Sequence, residues 1–401
     1  MKETSATSKT LHHFVNPGEI LSILLLLGPD IVQTAVAQLA GRAITPVVFS
    51  FGWVGYAVSA LFAAFRDGRL MPDADVDGIV VVDVDTGHRR TTKSWVLGRL
   101  FRDEDNRLIN SLKNEAAHVP PETGSEPPKQ DWEALRVTIY EVDNKPPRSH
   151  GVPTLDWAWY SGLAVIIIQL LIAMRVSILS NTWATFVITA SGNALALIGG
   201  SLPQWRREKW GCPKDGGPTV VLTQGDGSRH AIVVIGAKKE RIGLDLRVLA
   251  WGMRTTRASW VTKVTYAVLA LLWVILLIAV SSLKEDTWYL LGIGLLGSIQ
   301  NLFVASTVRS PSALGIHVKF VRVIRDNRVA KVLKEAEIFH HGLGASLLDI
   351  FFPGGMRVKG EDLDFWRAAL ESRYAPNKYG TPVNHIPPMN PSSNTTDKEI
   401  E

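Results

Sequence analysis

The chain has 401 residues, of which 46% are hydrophobic and 20% charged, and its formal net charge is +5. All 43 basic and 38 acidic residues lie outside five stretches of at least 18 residues. A transmembrane helix needs about 20 apolar residues, so this segregation excludes an ordinary soluble globular protein. It also excludes an outer-membrane barrel, whose strands alternate in polarity over about 10 residues.

Residues 1–43 precede the first charge-free stretch and allow more than one topology. Residues 20–27 are strongly apolar but too short to cross a bilayer, and a Gly-Pro-Asp turn at 28–30 interrupts them. Pro29 suits the first turn of a helix that continues to Ala40. We interpret this region as a re-entrant or interfacial helical segment, with a broken sixth span and a cleaved signal peptide as alternatives.

The five charge-free stretches are predicted to be transmembrane helices. Trp157, Trp183 and Trp288 stand at the ends of three of them, where the indole ring favours the headgroup region. The predicted spans are residues 44–65, 157–174, 183–202, 264–283 and 288–308.

Basic residues near the span ends predict the orientation. Thirteen, including Lys209 and Arg309, lie on one side, and only three, Arg42, Arg175 and Lys284, lie on the other. Because basic residues collect on cytoplasmic loops, the side with thirteen is expected to be cytosolic. The segments expected there are residues 66–156, residues 203–263 and the tail after residue 308.

Several β-branched runs outside the spans predict strands. They are residues 78–84, 135–142, 219–223 and 231–236. The last two flank a Gly-rich turn, which is typical of a hairpin. Because two-stranded pieces are marginally stable alone, we predict one small β-containing cytosolic cap built from residues 75–142 and 218–237.

The remaining cytosolic residues are predicted to be mostly helical. Residues 244–262 mix apolar and basic positions, which predicts an amphipathic helix that lies on an anionic leaflet or packs on the cap. The tail over 309–375 is predicted to be helical, with helices at 329–341 and 361–374, and residues 376–401 to be disordered. The predicted fold is therefore an α-helical polytopic membrane protein with about five transmembrane helices and this cap.

Two groups of residues are candidate functional sites. Uncharged polar side chains at membrane depth either hydrogen-bond between helices or line a pathway for a solute, and the candidates are Gln169, Asn193, Gln300 and Asn301. The 203–263 segment carries a net charge of +7, which favours contact with anionic headgroups. The candidate lipid-headgroup residues are Arg206, Arg207, Arg254, Arg257 and Lys263.

No motif predicts a catalytic residue, a cofactor or a metal. The Gly292–Gly297 segment has the literal pattern GxGxxG, but a dinucleotide site needs it between a strand and a helix in water. Here it lies inside a predicted span, where small residues favour close packing. Because the basic surplus lies at the predicted membrane face, we expect a lipid bilayer as a partner and no nucleic acid. A cytosolic protein is a further candidate partner.

One region resembles a known family. The matching residues are Gly28-Pro-Asp-Ile-Val-Gln33, Gln38-Leu-Ala-Gly41, Thr45-Pro-Val, Phe49-Ser-Phe-Gly-Trp-Val54 and Tyr56, followed by Arg69-Leu-Met-Pro72 and Ser94-Trp-Val-Leu-Gly-Arg99. This segment resembles a family of uncharacterised multi-pass integral membrane proteins of filamentous fungi. The resemblance implies that residues 28–41 belong to the mature protein, and it implies no activity.

Three classes of function remain open from the sequence. The leading hypothesis is a non-catalytic membrane scaffold or interaction protein, because a large cytosolic mass lacks any catalytic constellation. The alternative is a channel or carrier for a weakly charged solute that uses the polar residues at membrane depth. The third is a membrane enzyme that uses Asp and His groups of the cap.

Overall fold

A computed structural model of the chain describes residues 28–66, 68–117, 133–252, 256–283, 287–357 and 360–374. In chain order the elements in these ranges are α1 (Pro29–Leu39), α2 (Gly52–Arg66), β1 (Val80–Asp83), β2 (Arg89–Thr91), α3 (Trp95–Ala117), β3 (Leu135–Val142), α4 (Trp157–Leu179), α5 (Ala184–Gly200), α6 (Pro203–Lys209), β4 (Val220–Thr223), β5 (His230–Ile235), α7 (Leu246–Gly252), α8 (Trp260–Ser281), α9 (Thr287–Ser306), β6 (Val318–Asp326), α10 (Val329–Phe339), α11 (Leu343–Phe351) and α12 (Glu361–Tyr374). A short 3₁₀ turn, Pro311–Leu314, precedes β6.

Four helical regions are, by length and composition, long and apolar enough to cross a membrane. They are Trp157–Leu179, Ala184–Lys209, Trp260–Ser281 and Thr287–Ser306, the second of which comprises α5 and α6. These regions overlap four of the five predicted spans. The chain therefore fits a helical integral membrane protein that also carries a small sheet.

The predicted span at residues 44–65 is wrong as a continuous helix. The helix in this region, α2, begins only at Gly52, and residues 41–51, here called the non-helical segment, adopt no helix or strand. α2 has 15 residues and is about 22 Å long. A hydrocarbon core is about 30 Å thick, so α2 alone is too short to cross it.

The non-helical segment and α2 form a hairpin inside the bundle. At its start, Gly41 packs against the side chains of Trp210 and Pro153, at the end of the bundle that faces the sheet. At its turn, Gly52 meets the backbone of Gly28, and a Cβ atom on Gly52 would lie 2.6 Å from it. α2 then returns to the sheet-facing end, where the carbonyl of Gly68 accepts a hydrogen bond of 2.6 Å from Ala258.

The strands form one six-stranded sheet in the order β2-β1-β4-β5-β3-β6. β3 and β5 are parallel, and the other neighbouring pairs are antiparallel. The sheet draws strands from both long segments between the apolar helices and also from the tail. The prediction of an entirely helical tail over 309–375 was wrong, because β6 occupies residues 318–326 and forms an edge of the sheet.

Helices cover both faces of the sheet. Val137, Val221 and Val233 point to a face covered by α10, α11 and α12, whose Trp366 is 1% exposed. Leu222 and Ile232 point to the opposite face, in a core shared with α3 and the apolar helices. The tail helices predicted at 329–341 and 361–374 correspond to α10 and α12, and α11 was not predicted. The predicted disordered residues 376–401 lie outside the described residues.

The amphipathic helix predicted over 244–262 is only partly present. α7 covers seven residues of it, and Leu246 and Leu249 are buried in the core below the sheet. Residues 256–259 are not helical, and Ser259 caps the beginning of α8. Leu246 and Leu249 therefore serve the core, whereas Trp260 and Val261, in the first turn of α8, are exposed.

His230 is a buried titratable group on the face of the sheet that α3 covers. Its side chain is 3% exposed, and its Nε2 lies 3.0 Å from the hydroxyl of Thr138. Asp105, the carboxylate facing it, is 44% exposed, and the shortest distance between the two side chains is 3.8 Å. Burial and, secondarily, the charge of Arg136 lower the pKa of His230 to about 4.

We predict that His230 makes the protein acid-sensitive. An unfolded histidine has a pKa of about 6.5, so between this value and the folded pKa of about 4 the unfolded state binds the proton. The contribution of His230 to the free energy of unfolding is therefore fully present above the unfolded pKa, and it is lost as the pH falls towards the folded pKa. The melting temperature in detergent should therefore fall between about pH 7 and pH 5, and His230→Gln should flatten this slope. The exposed His88→Gln should keep the wild-type slope, and equal slopes for all three proteins would contradict the assignment.

Candidate functional site

Residues 45–51 of the non-helical segment are buried among the apolar helices, and side chains form hydrogen bonds with their backbone. The N–H groups of Val48 and Phe49 donate to the side-chain oxygens of Asn301 and Asn193, each at 3.2 Å. The carbonyl of Val48 accepts from Asn301 Nδ2 at 2.9 Å, and the carbonyl of Phe49 accepts from Gln169 Nε2 at 3.0 Å. Backbone polar groups away from water must be paired in this way, since a helix no longer pairs them.

The four polar residues predicted at membrane depth therefore have described partners. Gln169, Asn193 and Asn301 surround the non-helical segment, and Asn193 Nδ2 also donates to Gln169 Oε1 at 3.0 Å. Gln300 lies apart from them and donates to the hydroxyl of Ser161 at 2.7 Å. All four are less than 9% exposed, so the first three act as a hydrogen-bonding frame for an irregular backbone.

Glycines provide the space for the non-helical segment. Residues whose added Cβ atom would collide with it are Gly162, Gly192, Gly294 and Gly297. The closest approach is at Gly297, where a Cβ would lie 1.8 Å from the carbonyl oxygen of Phe49. Two glycines of the GxGxxG pattern, Gly294 and Gly297, thus lie against the non-helical segment. A Cβ atom on the third, Gly292, would have no described atom within 4 Å.

Buried cations hold the ends of two helices where the bundle meets the sheet. Lys209 is 1% exposed and donates to the carbonyls of Gln38 and Ala40, at 3.1 and 2.9 Å. These carbonyls end α1, and helix C-termini attract cations because their carbonyls lack partners. The ammonium also lies 5.4 and 5.1 Å from the ring centres of Trp95 and Trp210.

Arg99 and Arg309 complete this group, which we call the junction cluster together with Lys209, Asp103 and Asp156. Arg99 donates to the carbonyls of Ala305 and Thr307 at the end of α9. Arg309 donates to the carbonyl of Gln38 and forms a two-point ion pair with Asp156 at 2.7 and 2.8 Å.

Asp103 supplies a buried negative charge to the junction cluster. It accepts the N–H of Arg309 at 3.0 Å and lies 3.6 Å from Arg99. Burial raises the pKa of Asp103, and the hydrogen bond from Arg309 and the charges of Arg99 and Arg102 oppose this shift. The charges of the junction cluster compensate one another. Removing one of them would leave another buried charge without a partner, so we assign the cluster a structural role.

The sequence did not predict the junction cluster. Lys209 and Arg309 were assigned only to the basic side of the membrane, and Arg99 and Asp103 were not singled out. The available signal was the position of Arg99 within the apolar run Trp95–Phe101, four residues before an acidic residue.

Four of the five candidate headgroup residues are described, and they lie at the sheet-facing end of the bundle. Arg206, Arg207 and Arg257 are exposed. The ammonium of Lys263 lies 5.3 Å from the ring centre of Phe65. Arg254 lies outside the described residues. Their contact with lipid stays a prediction.

A chain of hydrogen bonds in the tail has the order of a catalytic triad. Ser372 Oγ and His341 Nε2 are 2.8 Å apart, and His341 Nδ1 is 2.8 Å from Glu337 Oε1. Glu337 also accepts the N–H groups of Gly342 and Ala345. Ser372, however, lies in the last turn of α12, where the partial charge is negative and opposes an oxyanion. The chain ties α10 to α12, and we assign no nucleophile to it.

Known proteins add no identification. Comparison of the chain with protein-family models, curated proteins and solved structures finds no match. The resemblance to a fungal membrane family therefore stays a prediction. In the described part of the chain, no group of three or more His, Cys, Asp or Glu residues could hold a metal ion.

We predict that Gly297→Ala strongly destabilises the protein and Gly292→Ala does not. The methyl group at residue 297 would collide with the Phe49 carbonyl, whereas none of the described atoms lies within 4 Å of a Cβ at residue 292. Overpacking costs about 1–3 kcal/mol or more, which for a chain of 401 residues lowers the melting temperature by about 1–4 °C or more. The two variants differ only in position within one helix, so equal melting temperatures in detergent would contradict the packing described here.

Proposed function

We propose that the protein is a non-catalytic integral membrane scaffold that holds its sheet domain rigidly at the cytosolic face for a protein partner. Two features support rigidity. The junction cluster joins the sheet domain to the ends of α1 and α9. The polar side chains at the centre of the bundle form hydrogen bonds with the backbone of the non-helical segment. With these groups engaged in structure, the surface left for recognition is the outside of the sheet domain.

The observation that carries this proposal is the edge strand β6. It has nine residues and, among the described residues, pairs only with β3. Phe320 and Val321 on it are 62% and 39% exposed. The opposite edge, β2, has three exposed residues, two of which are arginines. β6 also carries Lys319, Arg322 and Arg325, and each of them forms an ion pair with a carboxylate of this chain. A long edge with exposed apolar side chains and internally paired charges favours pairing with another chain more than the short, exposed β2 does.

We also propose four membrane spans, with the hairpin of the non-helical segment and α2 entering and leaving on the cytosolic side. Arg42 supports this topology. In a five-span topology it is one of three basic residues on the wrong side, yet its neighbour Gly41 packs against Trp210 and Pro153 beside the sheet domain. The hairpin therefore removes one of the three exceptions to the positive-inside rule.

The alternative predicted from the sequence, a channel or carrier for a weakly charged solute, receives less support. Gln169, Asn193 and Asn301 donate to or accept from backbone and one another. A solute would have to compete with these bonds, and each buried backbone group left unpaired costs about 1–3 kcal/mol.

The topology is tested with single cysteines in a Cys212→Ser background. Arg42→Cys should react with a membrane-impermeant maleimide from the same side as Lys145→Cys. Thr182→Cys, in the turn between α4 and α5, should react only from the other side. In intact vesicles of known orientation the maleimide labels only cysteines on the outer side. In solubilised vesicles it labels cysteines on both sides. Reaction of Arg42→Cys together with Thr182→Cys would instead support a continuous span over 44–65.

The scaffold function is tested by photo-cross-linking in cells. A photoreactive amino acid at Phe320 should give a reproducible protein adduct, and the same residue at Arg90 on β2 serves as the matched position on the other edge. Val321→Asp should lower the yield of the adduct at residue 320. Equal cross-linking at both edges, or none at residue 320, would count against a partner at β6.

A further inference from the structure

Three separate parts of the chain meet at the sheet-facing end of the bundle: the end of α2, α6 and the beginning of α8. Ala258, just before α8, donates to Gly68, just after α2. The ring of Tyr56 in α2 lies 6.4 Å from Trp205 in α6, and its hydroxyl lies 3.2 Å from that of Tyr266 in α8. Side chains on these three parts therefore form one continuous surface.

This surface carries four cations from two of those parts. Arg206 and Arg207 lie on α6, and Arg257 and Lys263 flank the beginning of α8. Among the residues that the structure describes, no carboxylate forms an ion pair with any of these four. Three of them are exposed, and Lys263 lies partly buried over the ring of Phe65.

Two described carboxylates near this surface have other partners. Asp73 pairs with Arg69 at 3.1 Å. Glu208 is buried, and one of its oxygens accepts the N–H groups of Leu70 and Met71, each at 2.7 Å. Counting the described residues alone, the surface keeps an excess of positive charge.

Large apolar side chains border the cations. Trp260 and Val261, in the first turn of α8, are 72% and 73% exposed, and Phe65 is 54% exposed. Cations beside exposed aromatic rings are typical of the boundary between hydrocarbon and headgroups. This combination fits a phospholipid, which offers acyl chains and an anionic phosphate together, better than it fits a soluble anion.

The charge is one-sided around the bundle. At the corresponding ends of α4 and α9, Arg309 is buried and paired with Asp156. Arg102 there pairs with Asp75 and Asp103, at 3.1 and 3.3 Å. Those cations are engaged by the junction cluster and its neighbours, whereas the four cations on α6 and at the beginning of α8 form no ion pair with a described carboxylate.

We propose that the surface formed by Arg206, Arg207 and Arg257, with Lys263 and Trp260 at its border, binds an anionic glycerophospholipid of the cytosolic leaflet. The inference rests on the proposed membrane placement and adds a specific lipid class and one side of the bundle. Basic residues near a membrane surface each attract anionic lipid appreciably, so three together dominate the selectivity.

The experiment uses the full chain, purified from membranes and equilibrated with an equimolar mixture of phosphatidylserine and phosphatidylcholine. Native mass spectrometry then measures which lipid is retained. The wild type should retain phosphatidylserine preferentially, and Arg206→Gln/Arg207→Gln/Arg257→Gln should reduce this preference roughly tenfold or more. The control variant, Lys145→Gln/Arg148→Gln/Lys238→Gln, removes three exposed cations elsewhere in the chain. It should show the same preference for phosphatidylserine as the wild type.

Two outcomes would overturn the proposal: an unchanged preference in the first triple variant, or an equal loss in both, which would indicate net charge alone. Melting temperatures in zwitterionic detergent verify that both triple variants are folded. Resistance of the wild type to alkaline extraction from membranes tests membrane integration separately. A protein that resists extraction but shows no lipid preference therefore refutes only the lipid site.

Discussion

The architecture depends on hydrogen bonds to one stretch of backbone that is not helical. Residues 41–51 run among helices whose own polar groups are internally paired, so this stretch must find partners elsewhere. Asn193 and Asn301 supply acceptors to its N–H groups, and Gln169 and Asn301 supply donors to its carbonyls. The glycines of the neighbouring helices matter because they let the non-helical segment come close. Only at that distance can the side-chain amides bind its carbonyls.

The same constraint explains why buried charges lie at the junction. The non-helical segment starts at the sheet-facing end of the bundle, so α1, which precedes it, ends there too. The terminal carbonyls of α1 need hydrogen-bond partners at that place. Lys209 and Arg309 provide them from segments that follow α5 and α9, while Arg99 reaches the end of α9 from the sheet domain. The hairpin and the domain are thereby held by one set of interactions, and weakening either one affects the other.

Some of this could be predicted from the sequence and some could not. Absence of charge identified the four long helices, and runs of Val and Ile identified four of the six strands, because these patterns are local. β2 was missed because its three residues, Arg89–Thr91, include no apolar side chain. Residues 44–65 are also free of charge, but hydropathy does not report whether backbone bonds are made within a helix or to distant side chains. β6 was missed because Lys319, Arg322 and Arg325 interrupt its apolar positions, as they do on an exposed edge. The amide residues were found individually, but their convergence depends on tertiary contacts.

The use of these amides bears directly on function. A transport pathway needs polar groups that exchange partners at low cost as a solute passes. Here Asn301 bonds to both the N–H and the carbonyl of Val48, and Gln169 bonds to Phe49, to Ile293 and to Asn193. Releasing any of them leaves backbone unpaired in a place without water, so the ground state resists such exchange. A bundle built in this way is suited to holding a shape, which agrees with the scaffold function proposed above better than with transport.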